Sequence, residues 1–185
     1  MKMIRLLLVL TVICGVIYPL FVTVIGAGLF SEKVGGSLVK VGDKLIGSTL
    51  LAQSFTKADF FHPRPSAADY ATVSSGASQS SPTQAAGTEL REKRRAQMPK
   101  AGVDAWTASG SGLDPHISPQ TAFAQVERVA TARGIPIETL NALIEKYTEG
   151  YTFGIWGQPR VNVLELNIAL LEGNNANTRS TVRKP

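Results

Sequence analysis

The sequence predicts a mixed α+β fold of the α/β type, an extracytoplasmic domain carried on a single N-terminal transmembrane helix. Three observations predict it. Leu6 to Ser31 is a run of 26 residues without a charge. Beyond it, short β-patterned runs alternate with capped helical runs. The whole chain is 185 residues, so the part beyond the apolar run suffices for one domain with its own core.

The apolar run comes first. As a helix it spans about 39 Å, against a hydrocarbon core of about 30 Å. A cleaved signal peptide has a shorter apolar stretch; Lys2, Arg5 and Gly26-Ala27-Gly28 imitate its flanks, but the length fits an uncleaved, tilted anchor better. Residues 1–31 are therefore expected to be an anchor with a short cytoplasmic tail, 32–172 an outer domain and 173–185 a flexible polar tail. Lys2 and Arg5 before the span nearly balance Lys33, Lys40 and Lys44 after it, and the short leading tail tips the orientation toward an outer domain. Within the span Thr11, Gly15, Pro19, Thr23 and Ala27 recur every four residues. This row drifts about 40° per step and forms a winding ridge of small and weakly polar residues, suited to contact with a crossed partner helix. Pro19 is expected to bend the helix or free a carbonyl. Cys14 is the only cysteine, which excludes an intramolecular disulfide and cysteine zinc sites.

The outer elements come in order. Leu38–Val41 and Lys44–Gly47 around Gly42-Asp43 read as a hairpin. Phe60-Phe61-His62-Pro63-Arg64-Pro65 is a rigid loop anchored by its aromatic pair, because two prolines forbid a helix. Residues 72–88 carry Val73 as their one large apolar side chain, a loop that is functional or disordered. Thr88 is the expected N-cap of a charged helix over Glu89–Met98, and Val103–Ser109 the expected strand after it. Ser118-Pro119 starts a helix that Gly134 closes, with Ala122, Phe123, Val126, Val129 and Ala130 inward. Glu138–Tyr147 is a second helix burying Leu140, Leu143, Ile144 and Tyr147, and Tyr151–Trp156 a strand. Asn162 with Glu165 three residues on marks a helix start for Val161–Leu171.

No familiar catalytic constellation appears. No Lys follows a glycine cluster as a phosphate loop requires. Ser111 lacks the glycines of a nucleophile elbow. The histidines are His62 and His116; with Asp59 or Asp114 they make a metal site on paper, yet such residues between prolines and turns are more often structural. The basic run Arg91–Arg95 lacks interleaved aromatics, and Glu89 and Glu92 share its helix, so nucleic acid is not indicated. An accessory subunit of a membrane complex and a free-standing anchored enzyme or binding protein both survive, the former favoured.

Four blocks then stand in order: Leu45-Ile46-Gly47-Ser48; Phe60–Ala67, reading FFHPRPSA; Thr107–Pro119, reading TASGSGLDPHISP; and Arg160–Asn167, reading RVNVLELN. With the single span, the chain resembles the KdpC family, the C subunit of the Kdp potassium-transporting ATPase. The resemblance implies a bacterial inner-membrane complex of a channel-like potassium-binding subunit, a P-type ATPase subunit, a small single-span peptide and this accessory chain. It implies that ATP and potassium are handled by the partners, and that this chain has no catalytic residue and no cofactor of its own. Arg64, Pro65, Ser109, Gly110, Ser111, Gly112, Asp114, His116, Asn162, Glu165 and Asn167 are its motif residues here. Related chains show something like SGGSNLGPTN in the polar loop, compared with an ATP-cassette signature, which implies nucleotide contact at Ser75, Gly76 and Ser78. Here the loop reads SGASQSSPTQ over residues 75–84, and the missing second glycine weakens backbone contact with phosphate. The resemblance leaves two roles open: assembly and a cap at the outer potassium entrance, or a chaperone that raises the ATP affinity of the ATPase subunit.

Overall fold

The computed structural model describes residues 2–41, 44–81 and 84–181, with side chains described as far as Gly173. The chain divides into two units, Met1–Ser48 and Thr49–Pro185.

The first unit is an apolar helix over Lys2–Leu29, 28 residues, long and apolar enough to cross a membrane. It is α1 (Lys2–Val12), a π-helical segment (Ile13–Ile17) and α2 (Tyr18–Leu29). Proline explains the interruption. Pro19 has no N–H to give the Gly15 carbonyl, and its ring crowds that carbonyl in an α-helix. The chain instead widens, Tyr18 N–H reaching the Ile13 carbonyl, so the helix runs on through Lys2–Leu29 rather than breaking. A short α3 (Ser31–Val34) leads into β1 (Leu38–Val41) and β2 (Lys44–Ser48). These are antiparallel, with a bulge between Val39 and Lys40. The strands stand where the alternating pattern puts them; the expected turn, Gly42-Asp43, lies outside the described residues.

The second unit builds its core from Phe61, Ile117, Val126, Val129, Leu140, Ile144, Val161, Val163, Leu166 and Leu170. Its elements are α4 (Ala85–Gln97), a 3₁₀ turn (Val103–Ala105), β3 (His116–Ile117), α5 (Pro119–Arg133), α6 (Ile137–Lys146), β4 (Thr148–Glu149), β5 (Arg160–Asn162) and α7 (Val163–Thr181). The sheet runs β3-β5-β4, antiparallel throughout. Caps read from sequence hold. Ser118 Oγ accepts from Thr121 N at the start of α5, and Gly134 closes it at φ 66°. Asn162 Oδ1 accepts from Leu164 N at 3.1 Å and Glu165 N at 3.3 Å, capping α7. α7 continues past Gly173 to Thr181, while the burial along it ends at Leu170.

Four sequence expectations need correction. Thr88 is not the N-cap of α4: the helix begins at Ala85, and Thr88 Oγ1 donates to the Gln84 carbonyl at 3.2 Å, the alanines being stronger helix formers than the pattern allowed for. Val103–Ser109 is no strand. Asp104 folds it into a turn by accepting from Ser118 N, Ser118 Oγ and Thr121 Oγ1 at 2.7–2.8 Å. Phe123 lies 40% exposed, because the inward face of α5 is rotated to bury Thr121 and Gln125, which bind backbone. Tyr151–Trp156 is a turn closed by a bridge between Thr152 and Trp156, the strand role being taken by Thr148–Glu149.

Candidate functional site

The loop Phe60–Pro65 is the centre of the site, and its fixation starts with backbone that no sheet or helix satisfies. Phe61 is fully buried, so its N–H and carbonyl require partners inside the protein. Asn167 supplies both: its Oδ1 accepts from Phe61 N at 2.9 Å, and its Nδ2 donates to Phe61 O at 3.0 Å. Gln125 does the same one residue on, accepting from His62 N at 2.8 Å and donating to His62 O at 3.1 Å. Two buried amides, one from α7 and one from α5, thus stand in for the neighbouring strand that this loop lacks. Arg128 extends the clasp, donating to Gln125 Oε1 and to the Phe60 carbonyl. Arg133 lies over the Phe60 ring at 4.8 Å. Gln125 and Arg128 are not singled out by any sequence motif. A signal is present all the same: a glutamine at the spacing of Ala122 and Val129 is a polar residue on a face meant for the core.

The clasp delivers Arg64 to Asp114. Arg64 Nη1 donates to Asp114 Oδ2 at 2.8 Å. Asp114 Oδ1 accepts from His116 N at 3.1 Å, with His116 Nδ1 at 3.6 Å. Burial pushes the Asp114 carboxyl up, but the His116 ring and N–H together with the Arg64 guanidinium outweigh it and bring it down to about 2. Tyr70 Oη donates to the Arg64 carbonyl at 2.9 Å, and Ser109 N–H to the Pro65 carbonyl at 3.0 Å. Arg64 Nε and Ser109 Oγ are buried without a hydrogen-bond partner among the described residues.

The Ser109–Leu113 turn packs beside this pair. Gly112 has φ 73°, and a Cβ there would stand 2.9 Å from the Gly76 carbonyl and 3.1 Å from Ala68 Cβ. Glycine is required twice over, by backbone conformation and by the polar loop crossing above it. Gly110 is free of both demands, with nothing within 4 Å of an added Cβ. Ser111 Oγ accepts from Leu113 N at 3.1 Å and shapes the turn.

Arg64, Asp114 and His116 line a cleft of ≈ 500 Å³ with Asp104, Ser118, Gln120 and Arg160. His62 is elsewhere, its Nε2 3.0 Å from the Lys57 carbonyl; burial lowers its pKa, against the pull of that carbonyl. The paper metal site of His62, His116 and acids is not brought together: among the described residues no three His, Cys, Asp or Glu stand close enough to hold an ion.

A family model described as KdpC, the K+-transporting ATPase c chain, matches residues 1–172. The chain belongs to the KdpC family. It is 47% identical over 169 residues to a potassium-transporting ATPase KdpC subunit of Xanthomonas oryzae pv. oryzae, covering 87% of this chain and 81% of that one. It is 46% identical over 175 residues to the protein of that name from Nitratidesulfovibrio vulgaris, covering 89% and 88%. It is 44% identical over 169 residues to that of Cereibacter sphaeroides, covering 89% and 91%.

Within this KdpC-family chain the remaining candidates separate. Ser75 lines a shallow cleft with Gly110, Ser111 and Asp114. Ser78 lines another of ≈ 350 Å³ with Ser66, Ser80, Ser81, Arg91, Arg94 and Thr107. Gly76 lies between, its carbonyl over Gly112. The three do not converge on one cavity, and Pro82 and Thr83 of the same loop lie outside the described residues. On the membrane-type helix, Thr11, Gly15, Pro19, Thr23 and Ala27 are all exposed. Both threonine hydroxyls donate to their own helix, Thr11 to Leu7 O and Thr23 to Pro19 O, each at 2.8 Å. The ridge therefore offers shape first and hydrogen bonds only by exchange. Its drift of about 40° per step is partly undone across Ile13–Ile17, where the wider π-turn rotates less per residue.

Proposed function

We propose that this chain is a non-catalytic accessory subunit of an ATP-driven potassium uptake complex of the bacterial inner membrane. Its domain lies on the extracytoplasmic side, braces the channel-like potassium-binding subunit, the P-type ATPase subunit and the small single-span peptide, and acts at the outer entrance of the potassium path. ATP and potassium are handled by those partners, and the chain holds no cofactor alone. The observation that carries this reading is Asp114. It is the acid of the most functional-looking cluster, yet it is tied to Arg64 and to the His116 N–H and held near 2. A carboxylate that stays ionised across the physiological range makes a weak general base and a good structural brace.

A second reading has an observation of its own. The cleft with Ser78, Ser80, Ser81, Arg91 and Arg94 presents hydroxyls and guanidinium groups, which suit phosphate oxygens. It would serve a chaperone that raises the ATP affinity of the ATPase subunit, and this requires the domain to face the cytoplasm. Topology decides between them. Cys14 lies inside the apolar helix, so a second cysteine gives a clean label. Cysteines placed at Ser80 and at Val73, both exposed, are expected to react with a membrane-impermeant thiol reagent in intact cells. Protection until lysis reverses the orientation and leaves the chaperone role standing.

A further inference from the structure

Residues 151–156 form the tip of the long connection between β4 and β5, and they break the usual rule for exposed loops. Tyr151 is 54% exposed, Phe153 87%, Ile155 76% and Trp156 68%. From Gly150 to Pro159 there is no charged residue. The nearest charges, Glu149 and Arg160, face each other across the two strands and pair at 2.8 Å, so the base of the tip is neutralised. The backbone at the tip closes on itself: Thr152 N–H reaches Trp156 O at 2.7 Å, Trp156 N–H reaches Thr152 O at 3.0 Å, and Gly154 N–H reaches Tyr151 O at 3.1 Å. Phe153 has φ 53° and Gly154 φ 73°. Positive φ at a bulky aromatic is an outlier in a position that Asn or Gly normally fills. The Phe153 and Trp156 rings meet edge to face, 6.4 Å apart, so the tip is ordered within itself and apolar outside.

We infer that this tip is an interfacial membrane-insertion element, seating its aromatic and aliphatic side chains among the headgroups and first methylenes of a phospholipid bilayer. Four features favour lipid over a protein pocket. The tip offers no charge to a partner's polar rim, where protein interfaces gain their register. The N–H groups of Thr152, Gly154, Ile155 and Trp156 are already paired within the tip, as an apolar medium demands. Tyr and Trp with neighbouring aliphatics are the composition of the aromatic belt at the membrane–water boundary. The same chain carries an apolar helix long enough to span a bilayer, and a tether of that kind keeps a lipid surface at high local concentration. The inference holds on either side of the membrane.

The chain has two tryptophans, and Trp106 is the internal reference: its Nε1 donates to the Met98 carbonyl and Arg95 covers its ring. The full chain is reconstituted into phosphatidylcholine vesicles, with and without lipids brominated near the headgroup end of the acyl chain. Subtracting the emission of Trp156→Phe from that of the unsubstituted chain isolates Trp156 without touching Trp106. The Trp156 signal is expected to be blue-shifted and quenched about twofold or more by the brominated lipid. Joint Phe153→Ser and Ile155→Ser substitution is expected to abolish most of that quenching and leave the Trp106 emission unchanged. A water-like, unquenched Trp156 overturns the inference. So does a Trp156 shielded only when other chains of the transporter are added, which assigns the tip to a protein contact.

Discussion

Replacing Asn167 by Leu keeps the branched skeleton of the side chain, with methyl groups bulkier than the amide, and removes both hydrogen bonds to Phe61. Each end is closed to water: Phe61 is 0% and Asn167 1% exposed. The substitution therefore strands one backbone N–H and one carbonyl in the core. An unsatisfied buried group costs about 1–3 kcal/mol, so the expected loss is roughly 2–5 kcal/mol, less a small gain from the apolar replacement. Against a total stability of about 5–15 kcal/mol for an ordinary domain this is large. For a unit of this size it corresponds to a fall in Tm of roughly 6–15 °C. The assay is thermal unfolding of the full chain in detergent micelles, followed by near-UV circular dichroism, with Glu127→Gln on the outer side of α5 as a control expected to stay within about 0.5 kcal/mol. A shift of less than about 1 kcal/mol at Asn167 refutes the reasoning, because it means that the Phe61 backbone finds other partners and the amide is not its substitute strand.

Three further outcomes are expected from the same geometry. The Asp114 carboxyl is held below its ordinary 3.8, at about 2; its contribution is therefore present above about pH 4 and is lost as pH falls through about 2. After allowance for solvent screening it amounts to roughly 1–2 kcal/mol, and Asp114→Asn is expected to remove it, flattening that acid limb in stability measured against pH. Gly112→Ala places a Cβ 2.9 Å from the Gly76 carbonyl at φ 73° and is expected to cost about 2–4 kcal/mol and to loosen residues 72–81 to protease. Gly110→Ala, with open space around it, should change stability by no more than about 0.5 kcal/mol. Gly15→Leu with Thr23→Leu is expected to leave the chain folded, since nothing lies within 4 Å of a Cβ at Gly15, and to weaken co-purification of the transporter's other chains. Unchanged assembly removes the ridge from the account.

Much of the fold is legible in the residues alone. Caps are local chemistry, and Ser118, Gly134 and Asn162 declare themselves because the groups they satisfy lie within a few residues. The hairpin strands come from alternation. The elements that local pattern misplaces have a common cause. Val103–Ser109 looks like a strand to any local rule, and it is a turn because Asp104 is bound by Ser118 and Thr121 from a later helix. Phe123 belongs on the apolar face by composition, and it is displaced because Thr121 and Gln125 are buried to hold distant backbone. Tyr151–Trp156 has strand composition throughout, and it closes on itself as a turn with its aromatics outward.

The candidate site divides along the same line. Its motif residues can be named from sequence as separate blocks, and Arg64, Asp114 and His116 are among them. That they meet, that Ser75 and Ser78 do not, and that two amides from different helices replace a missing strand at Phe61 and His62 are facts of three dimensions. The sequence by itself determined the elements whose satisfaction is local: a greasy helix that needs no neighbour for its backbone, capped helices and a hairpin. Only the tertiary structure decided which polar groups pair across 50 to 106 residues of chain, because a buried donor is satisfied by whatever acceptor folding brings near, and that choice leaves no periodic trace.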